Sequence, residues 1–142
     1  MKGTVTMSDS ACGPDTSSAR LRLAVLAPEF SVCKFAAMPE ELLERGFCFV
    51  ARTDEELSVV CETARVGEGT LAREDGWRAF KVCGPLDFGL VGILAKISAA
   101  LADAGVPLFA VSTYDTDYIL VKAEKLDAAI IALRAQGCDV VA

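Results

Sequence analysis

The 142-residue sequence contains no histidine, and this absence removes the commonest general base of enzymes. It also excludes nucleophile pairs of the Ser-His and Cys-His kinds. Without histidine, a zinc site would need four clustered thiolates or carboxylates. The glycine-containing stretches 67–69 and 84–92 match neither a P-loop nor a dinucleotide-binding fingerprint. We therefore expect a protein that is not an enzyme and that carries no metal and no cofactor.

Basic residues are also scarce, with 14 Lys and Arg against 20 Asp and Glu, a net charge of −6 and a pI near 4.6. Such a chain has no basic stripe to neutralise phosphates, which argues against a nucleic-acid partner and against binding to an anionic membrane surface. Aromatic residues make up only 7% of the chain, and the stretch 77–83 lacks the pattern of an RNA-recognition strand. Binding to RNA is therefore disfavoured.

Long apolar runs and a signal peptide are missing as well. The most apolar run, 88–102, is interrupted by Lys96 and is shorter than the roughly 20 residues that a spanning helix needs. The first 19 residues lack the basic start and apolar stretch of a signal peptide, and their composition predicts a disordered lead-in. We expect a cytoplasmic protein with no membrane partner.

Six cysteines are present, but no two are close in sequence and there is no Cys-x-x-Cys motif. Four of them, Cys33, Cys48, Cys61 and Cys83, fall inside apolar runs, where a free cysteine behaves as a small core residue. Because no secretory signal precedes them, a disulfide framework is not expected.

Periodicity predicts an α+β fold, most clearly in the second half of the chain. Gly84-Pro85 ends the first strand, Asp87 is the expected N-cap of the following helix, and Gly105 and Gly137 are expected to end the two helices. The acidic turn 115–117 predicts an antiparallel hairpin. The predicted elements are a strand at 77–83, a helix to about 103, strands at 108–113 and 118–122, a helix at 126–136 and a strand at 138–141. This β-α-β-β-α-β order is ferredoxin-like.

The first half repeats part of this pattern. Residues 51–60 match residues 112–121 at a displacement of 61 positions, and Ala27-Pro28-Glu29-Phe30 matches Gly84-Pro85-Leu86-Asp87-Phe88. Extended segments are predicted at 21–27, 30–36, 47–53 and 57–61, with a short helix at 40–45. No second long helix follows, so we interpret 20–62 as a shortened module, 63–76 as a connector and 77–142 as a complete module.

Several short motifs carry a family resemblance that covers roughly residues 20–142. They are Trp77-Arg78-Ala79-Phe80, Gly84-Pro85-Leu86-Asp87-Phe88, Gly92-Ile93-Leu94-Ala95, the stretch 112–121, Pro28-Glu29-Phe30, Cys33-Lys34 and the stretch 52–60. In this order and spacing the chain resembles ACT-domain proteins related to the CASTOR arginine sensors. The resemblance implies tandem ACT-like modules, an amino acid ligand, a regulatory or sensor role, and a homodimer. It identifies neither the amino acid nor a downstream protein partner.

The resemblance also implies where a ligand binds, namely between modules, against the loop after the first strand and the start of the first helix. Unpaired N–H groups and the dipole at a helix start suit a carboxylate, and a nearby carboxylate such as Asp115 suits an ammonium group. The ligand-binding residues implied are Asp87, Phe88, Gly89, Leu90, Ser112, Thr113 and Asp115. Two alternatives stay open: Asp87 only caps a helix and Asp115 only shapes a turn, or the protein is a structural dimerisation module without a ligand.

Overall fold

The computed structural model describes residues 11–13, 20–83 and 92–142. These residues form strands and helices in the order β1, α1, β2, β3, β4, α2, β5, β6, α3 and β7, with a 3₁₀ turn after β3 and another after β6. The bounds are β1 Arg22–Phe35, α1 Glu40–Leu43, β2 Cys48–Arg52, β3 Leu57–Glu62, Thr63–Arg65 (3₁₀), β4 Thr70–Val82, α2 Ile93–Asp103, β5 Phe109–Ser112, β6 Asp117–Lys122, Ala123–Lys125 (3₁₀), α3 Leu126–Ala135 and β7 Asp139–Val141. Within the described ranges, no helix is both long and apolar enough to cross a membrane.

The chain forms two compact units, and the two longest strands supply residues to both. Unit 1 contains the described residues before Ala27 and after Arg78, and unit 2 is Ala27–Arg78. In unit 1 the strands are neighbours in the order β7, β1, β4, β6 and β5, and in unit 2 in the order β2, β3, β1 and β4. The pairs β1–β3, β2–β3 and β5–β6 are antiparallel, whereas β7 joins β1 in parallel.

Unit 1 buries its core between its two helices and its sheet. The order β4, α2, β5, β6, α3 and β7 confirms the β-α-β-β-α-β arrangement predicted for this half. The core contains Leu23, Phe80, Val82, Ile97, Ala100, Leu101, Val106, Ile119, Val121, Ala129, Leu133, Cys138 and Val140. Burying this many apolar side chains is the main favourable contribution to the folding of the unit.

Both helices of unit 1 end as their glycines predicted. After α3, Gly137 has a φ of 88°, its N–H donates to the Arg134 carbonyl, and the N–H of Cys138 donates to the Leu133 carbonyl at 3.1 Å. Gly105 closes α2 with the same pair of bonds. This arrangement is the Schellman motif, in which a left-handed residue allows the last carbonyls of a helix to be paired. Helix α2 begins at Ile93 with Gly92 as its N-cap, whereas the predicted N-cap, Asp87, lies outside the described residues.

Unit 2 has a smaller core on one side of strands β1 and β3. Its members are Cys33, Phe35, Leu42, Leu57, Val59 and Cys61, with Met38, Cys48 and Val66 packed against them. A polar network adds to this unit: the fully buried Ser31 hydroxyl lies 2.5 Å from an Asp75 carboxylate oxygen and 2.9 Å from the Thr63 hydroxyl. Pairing of this kind is what allows a hydroxyl to be buried at little cost.

The two long strands differ from the sequence prediction. Residues 21–36 were expected to form two extended segments on either side of Pro28, but β1 is continuous from Arg22 to Phe35. Along it, β7 pairs with Arg22–Ala24 and β3 with Phe30–Phe35, so Pro28 falls between the two ladders, where its missing N–H costs no bond to either. Residues 70–76, predicted as part of a connector, form the first half of β4. The domain boundaries drawn from the sequence stay predictions.

The internal repeat has a displacement of 60 positions in the structure rather than 61. Strand β3 at 57–62 corresponds to β6 at 117–122, and the two 3₁₀ turns at 63–65 and 123–125 follow at the same displacement. Thr53 therefore corresponds to Thr113: its N–H donates to the Glu56 carbonyl at 2.9 Å, as that of Thr113 does to the Thr116 carbonyl at 2.8 Å. The segments predicted at 47–53 and 57–61 are therefore joined by a hairpin turn like that between β5 and β6.

Candidate functional site

The turn between β5 and β6 contains three of the seven predicted site residues: Ser112, Thr113 and Asp115. Ser112 pairs with Asp117 at the end of the β5–β6 ladder. The Thr113 hydroxyl donates to the Thr116 carbonyl at 3.0 Å and accepts the Thr116 N–H at 3.3 Å. A threonine that bonds the backbone across a turn in this way holds it in one conformation.

The remaining four predicted residues, Asp87, Phe88, Gly89 and Leu90, lie outside the described residues. Their part in a site stays a prediction. The structure consequently tests only the half of the predicted site that the hairpin supplies.

Thr116 anchors the turn to the rest of unit 1. It is only 5% exposed, and its hydroxyl donates a short hydrogen bond to the Val82 carbonyl at the end of β4. A buried hydroxyl bonded to a strand carbonyl resists displacement, because both groups would lose their partner without meeting water. The sequence analysis did not select Thr116. A signal for it exists in the corrected repeat, since the corresponding residue in the first hairpin is Glu56, which cannot supply the same neutral donor.

Asp115 interacts with Tyr118, the second residue of β6. Burial raises the pKa of the Tyr118 hydroxyl above its ordinary value, and the nearby Asp115 carboxylate raises it further, because a second negative charge close by is unfavourable. Tyr118 therefore stays a neutral hydrogen-bonding group across the physiological range. The Asp115 side chain is exposed at the turn, where an incoming cation can reach it.

Lys81, which the sequence analysis passed over, lies immediately before the Val82 carbonyl that binds Thr116. Its side chain is 8% exposed, and within the part of the chain that the structure describes it has neither a hydrogen bond nor an ion pair. A lysine buried to this extent packs its stem against neighbouring groups and keeps its ammonium at the surface or beside a partner. From the sequence alone, Lys81 cannot be distinguished from any other polar residue in an alternating strand.

Lys81 and Tyr118 share one face of the sheet. Phe80 and Val82 of β4, like Ile119 of β6, belong to the core beneath the helices. Since successive side chains of a strand point to opposite faces, Lys81 and Tyr118 point to the other face of two neighbouring strands. An ammonium, a neutral phenol and, at the adjoining turn, a carboxylate are thus held by neighbouring elements of unit 1. Opposite charges on neighbouring elements suit a zwitterionic molecule.

Unit 2 contains a separate open cavity of about 410 Å³, and none of the seven predicted residues lines it. Its walls combine apolar and charged side chains: Phe35, Pro39, Glu41, Leu42, Glu44, Arg45, Arg65, Gly67 and Glu68. The Arg65 guanidinium donates from Nη2 to the Glu41 carbonyl at 3.3 Å. Because carboxylates and guanidinium groups are mixed on its rim, the cavity shows no preference for one ligand charge.

The cysteine prediction is partly wrong. Cys12 and Cys83 form a disulfide, with their Cα atoms 5.8 Å apart across 71 positions of sequence. Sequence spacing gave no sign of this pair, since a disulfide depends on proximity in space. Cys33, Cys48, Cys61 and Cys138 are free, and the first three occupy the small core of unit 2 as predicted. No cluster of potential metal ligands occurs among the residues that the structure describes.

Comparison with known proteins agrees with this fold. Residues 72–135 match the ACT domain family. The protein Atu0741 from Agobacterium tumefaciens is 30% identical, with a TM-score of 0.78 over 87% of this chain and 94% of that chain. The molecule is therefore an α+β protein with an ACT domain, the type of domain found in regulatory proteins. More particularly, the chain belongs to the same family as Atu0741.

Two more distant structures show the fold alone. The protein VC0802 from Vibrio cholerae, described as a possible transport protein, is 21% identical with a TM-score of 0.65 over 82% of this chain and 89% of that one. The ligand-free regulatory subunit of aspartate kinase from Thermus thermophilus is 14% identical, with a TM-score of 0.59 over 80% of this chain and 95% of that one.

Proposed function

We propose that this protein is a non-catalytic regulatory protein that binds an amino acid at the end of unit 1 where β4 meets the β5–β6 turn. The observation that carries the proposal is Lys81, a lysine only 8% exposed that shares a sheet face with Tyr118, beside the turn that holds Asp115. Support for an amino acid in particular comes from the ACT domain and from the likeness to a regulatory subunit of aspartate kinase.

Each charge of the ligand has a counterpart in this arrangement. The α-carboxylate pairs with the Lys81 ammonium in a charge-assisted contact. The α-ammonium pairs with the Asp115 carboxylate, and the Tyr118 hydroxyl adds a neutral donor or acceptor between them. Asp87, Phe88, Gly89 and Leu90 belong to the proposed site by resemblance.

Thermal unfolding in the presence of each of the twenty amino acids tests the proposal. A ligand that binds only the folded state stabilises it by RT ln(1 + [L]/Kd), so one or a few amino acids at millimolar concentration should raise the Tm. A null result with all twenty would refute an amino acid ligand and leave the structural dimerisation module as the better description.

The variant Lys81→Met gives the sharper result. It keeps the volume and flexibility of the side chain but removes the charge, so the ligand-free protein should be at least as stable as the parent. Binding should weaken at least about tenfold, because a charge-assisted contact is lost. A variant that still binds normally would remove Lys81 from the site.

Asp115→Asn tests the other end of the ligand, with Glu55→Gln as its matched control. Glu55 corresponds to Asp115 in the β2–β3 turn of unit 2, at the displacement of 60 positions. We expect Asp115→Asn to weaken binding and Glu55→Gln to leave it unchanged. Equal effects of the two substitutions would point to net charge rather than to a site.

The closer relation to the CASTOR arginine sensors, the tandem character with a shortened first module, the homodimer and the cytoplasmic location also belong to this proposal. Tyr114, at the tip of the turn beside the edge strand β5, is 82% exposed, and an exposed aromatic beside a strand edge is a feature of association surfaces. Light scattering across a concentration series distinguishes a monomer from a dimer.

A further inference from the structure

We propose that Cys12 and Cys83 are a reversible redox pair whose disulfide fastens residues 11–13, called here the Cys12 segment, to the end of β4. This inference is independent of the amino acid site, since it concerns a covalent modification of unit 1. It rests on how the structure holds the two cysteines and on how differently it holds the other four.

Arg22 brings the two cysteines together. The Cys83 N–H donates to the Arg22 carbonyl at 2.9 Å, and the Arg22 guanidinium donates from Nη1 to the Cys12 carbonyl at 3.1 Å. The same guanidinium binds the Asp139 carboxylate through Nε at 3.0 Å. One residue thus contacts the backbone of both cysteines, which raises the effective concentration of each thiol at the other. Arg22 is a positioning residue for this pair.

Access separates this pair from three of the four remaining cysteines. Cys12 and Cys83 are both partly exposed, so a small thiol or disulfide can reach them. Cys33, Cys61 and Cys138 are buried, and burial raises the pKa of each of these thiols and of the Cys48 thiol. Cys33 and Cys61 are close enough to interact directly, yet no disulfide joins them. Thiol exchange needs both a thiolate and access, and buried thiols with a raised pKa have little of either.

The chemistry balances with a low-molecular-weight disulfide, such as oxidised glutathione, as the oxidant. One protein thiolate attacks it, forms a mixed disulfide and releases one glutathione. The second protein thiolate attacks the mixed disulfide at the protein sulfur and releases the second glutathione. Two protein thiols have then given two electrons to one glutathione disulfide, and the two protons remain on the two glutathione thiols. Excess glutathione reverses both steps.

Equilibration of the full-length protein in glutathione buffers of varied reduced-to-oxidised ratio tests the proposal. Acid quenching, thiol labelling and peptide mass spectrometry then report the state of each cysteine. We expect Cys12 and Cys83 to oxidise together, with a midpoint inside the accessible range of ratios, while the other four stay reduced. The proposal is overturned if a different pair oxidises, if no pair does, or if this disulfide survives millimolar dithiothreitol in the folded protein.

Variants separate positioning from general stability. Cys83→Ser should abolish the transition and Cys48→Ser should leave it unchanged. Arg22→Met should shift the midpoint about tenfold toward more oxidising buffer, whereas Asp139→Asn, which removes only the ion pair, should shift it little. Equal shifts in the last two variants would mean that Arg22 acts through the ion pair and not on Cys12, which would refute its positioning role.

As a second readout, reduction of the parent should lower the Tm by roughly 10 °C, because the disulfide closes a loop of 71 positions. An unchanged Tm would show that the bond does not fasten the segment.

Discussion

Alkaline pH should destabilise this protein in a way that can be traced to one thiol. Cys61 lies in β3 with no exposed surface, and burial raises its pKa from 9.0 to about 11. The neighbouring thiols Cys33 and Cys48 contribute to this rise in the pKa, and the Arg65 guanidinium opposes it. In the unfolded chain the thiol ionises near pH 9, whereas in the folded protein it keeps its proton.

The direction of the effect follows from proton binding. Between pH 9 and 11 the folded state holds one more proton at Cys61 than the unfolded state does, so stability falls as the pH rises through this window. A shift of this size corresponds to about 2–3 kcal/mol. The contribution is fully present below pH 9 and is gone above pH 11.

Urea unfolding of the parent and of Cys61→Ala, each followed from pH 8 to pH 11 with a phosphine reductant throughout, measures this quantity. At pH 8 the substitution should cost about 1–2 kcal/mol, at the low end for removal of a buried group. By pH 11 the variant should equal or exceed the parent in stability, because it has no thiol to ionise. Val59→Ala, a buried change in the same strand, should cost the same at every pH.

A constant cost of Cys61→Ala across the pH range, like that of Val59→Ala, would refute this reasoning. Titrating groups that do not interact with Cys61 are common to the three proteins and cancel in the differences. The comparison therefore isolates the contribution of Cys61 together with its coupling to Cys33 and Cys48.

Two further substitutions test local geometry in the two units. Thr116→Val removes the donor to the Val82 carbonyl while keeping the shape of the side chain. It should cost about 1–3 kcal/mol of unfolding free energy in urea titrations. No measurable loss would mean that this bond does not fix the turn. Gly46→Ala should cost about 1 kcal/mol more in unfolding free energy than Gly105→Ala. Both glycines have a positive φ, but only at Gly46 would a Cβ meet the Arg65 guanidinium, 3.0 Å from Cζ. The excess cost should disappear when Arg65 is replaced by alanine, and its persistence would contradict the contact.

Local signals were sufficient to predict the order of elements in unit 1. Its helices have apolar residues at helical spacing and end at Gly105 and Gly137, and its hairpin is marked by the turn at 115–117. Features of longer range were not predictable in this way. The continuity of β1 through Pro28 depends on which ladders lie beside that residue, and the pairing of β1 with β7 joins residues 117 positions apart. Neither is recorded in the pattern of the strand itself.

The candidate site was likewise predicted only in part. Turn-forming residues located the hairpin that carries Ser112, Thr113 and Asp115. Lys81 could not be found from the sequence, because its interest lies in its burial. Thr116 is distinguished only once the repeat is aligned at 60 positions, because its bond to a distant carbonyl leaves no local pattern. The Cys12–Cys83 disulfide escaped prediction for the same physical reason.

The parallel pairing of β1 with β7 has a consequence for the order in which the protein forms during synthesis. The second part of β1 meets β3 within unit 2, at separations of about 22 to 32 positions, so this ladder can form early. The first part of the same strand must wait for Asp139–Val141, 117 positions later in the chain. Contacts at such separation form slowly, and a growing chain exposes the waiting strand edge meanwhile. Arg22–Ala24 therefore stay unpaired on that side until about 117 further residues have been synthesised.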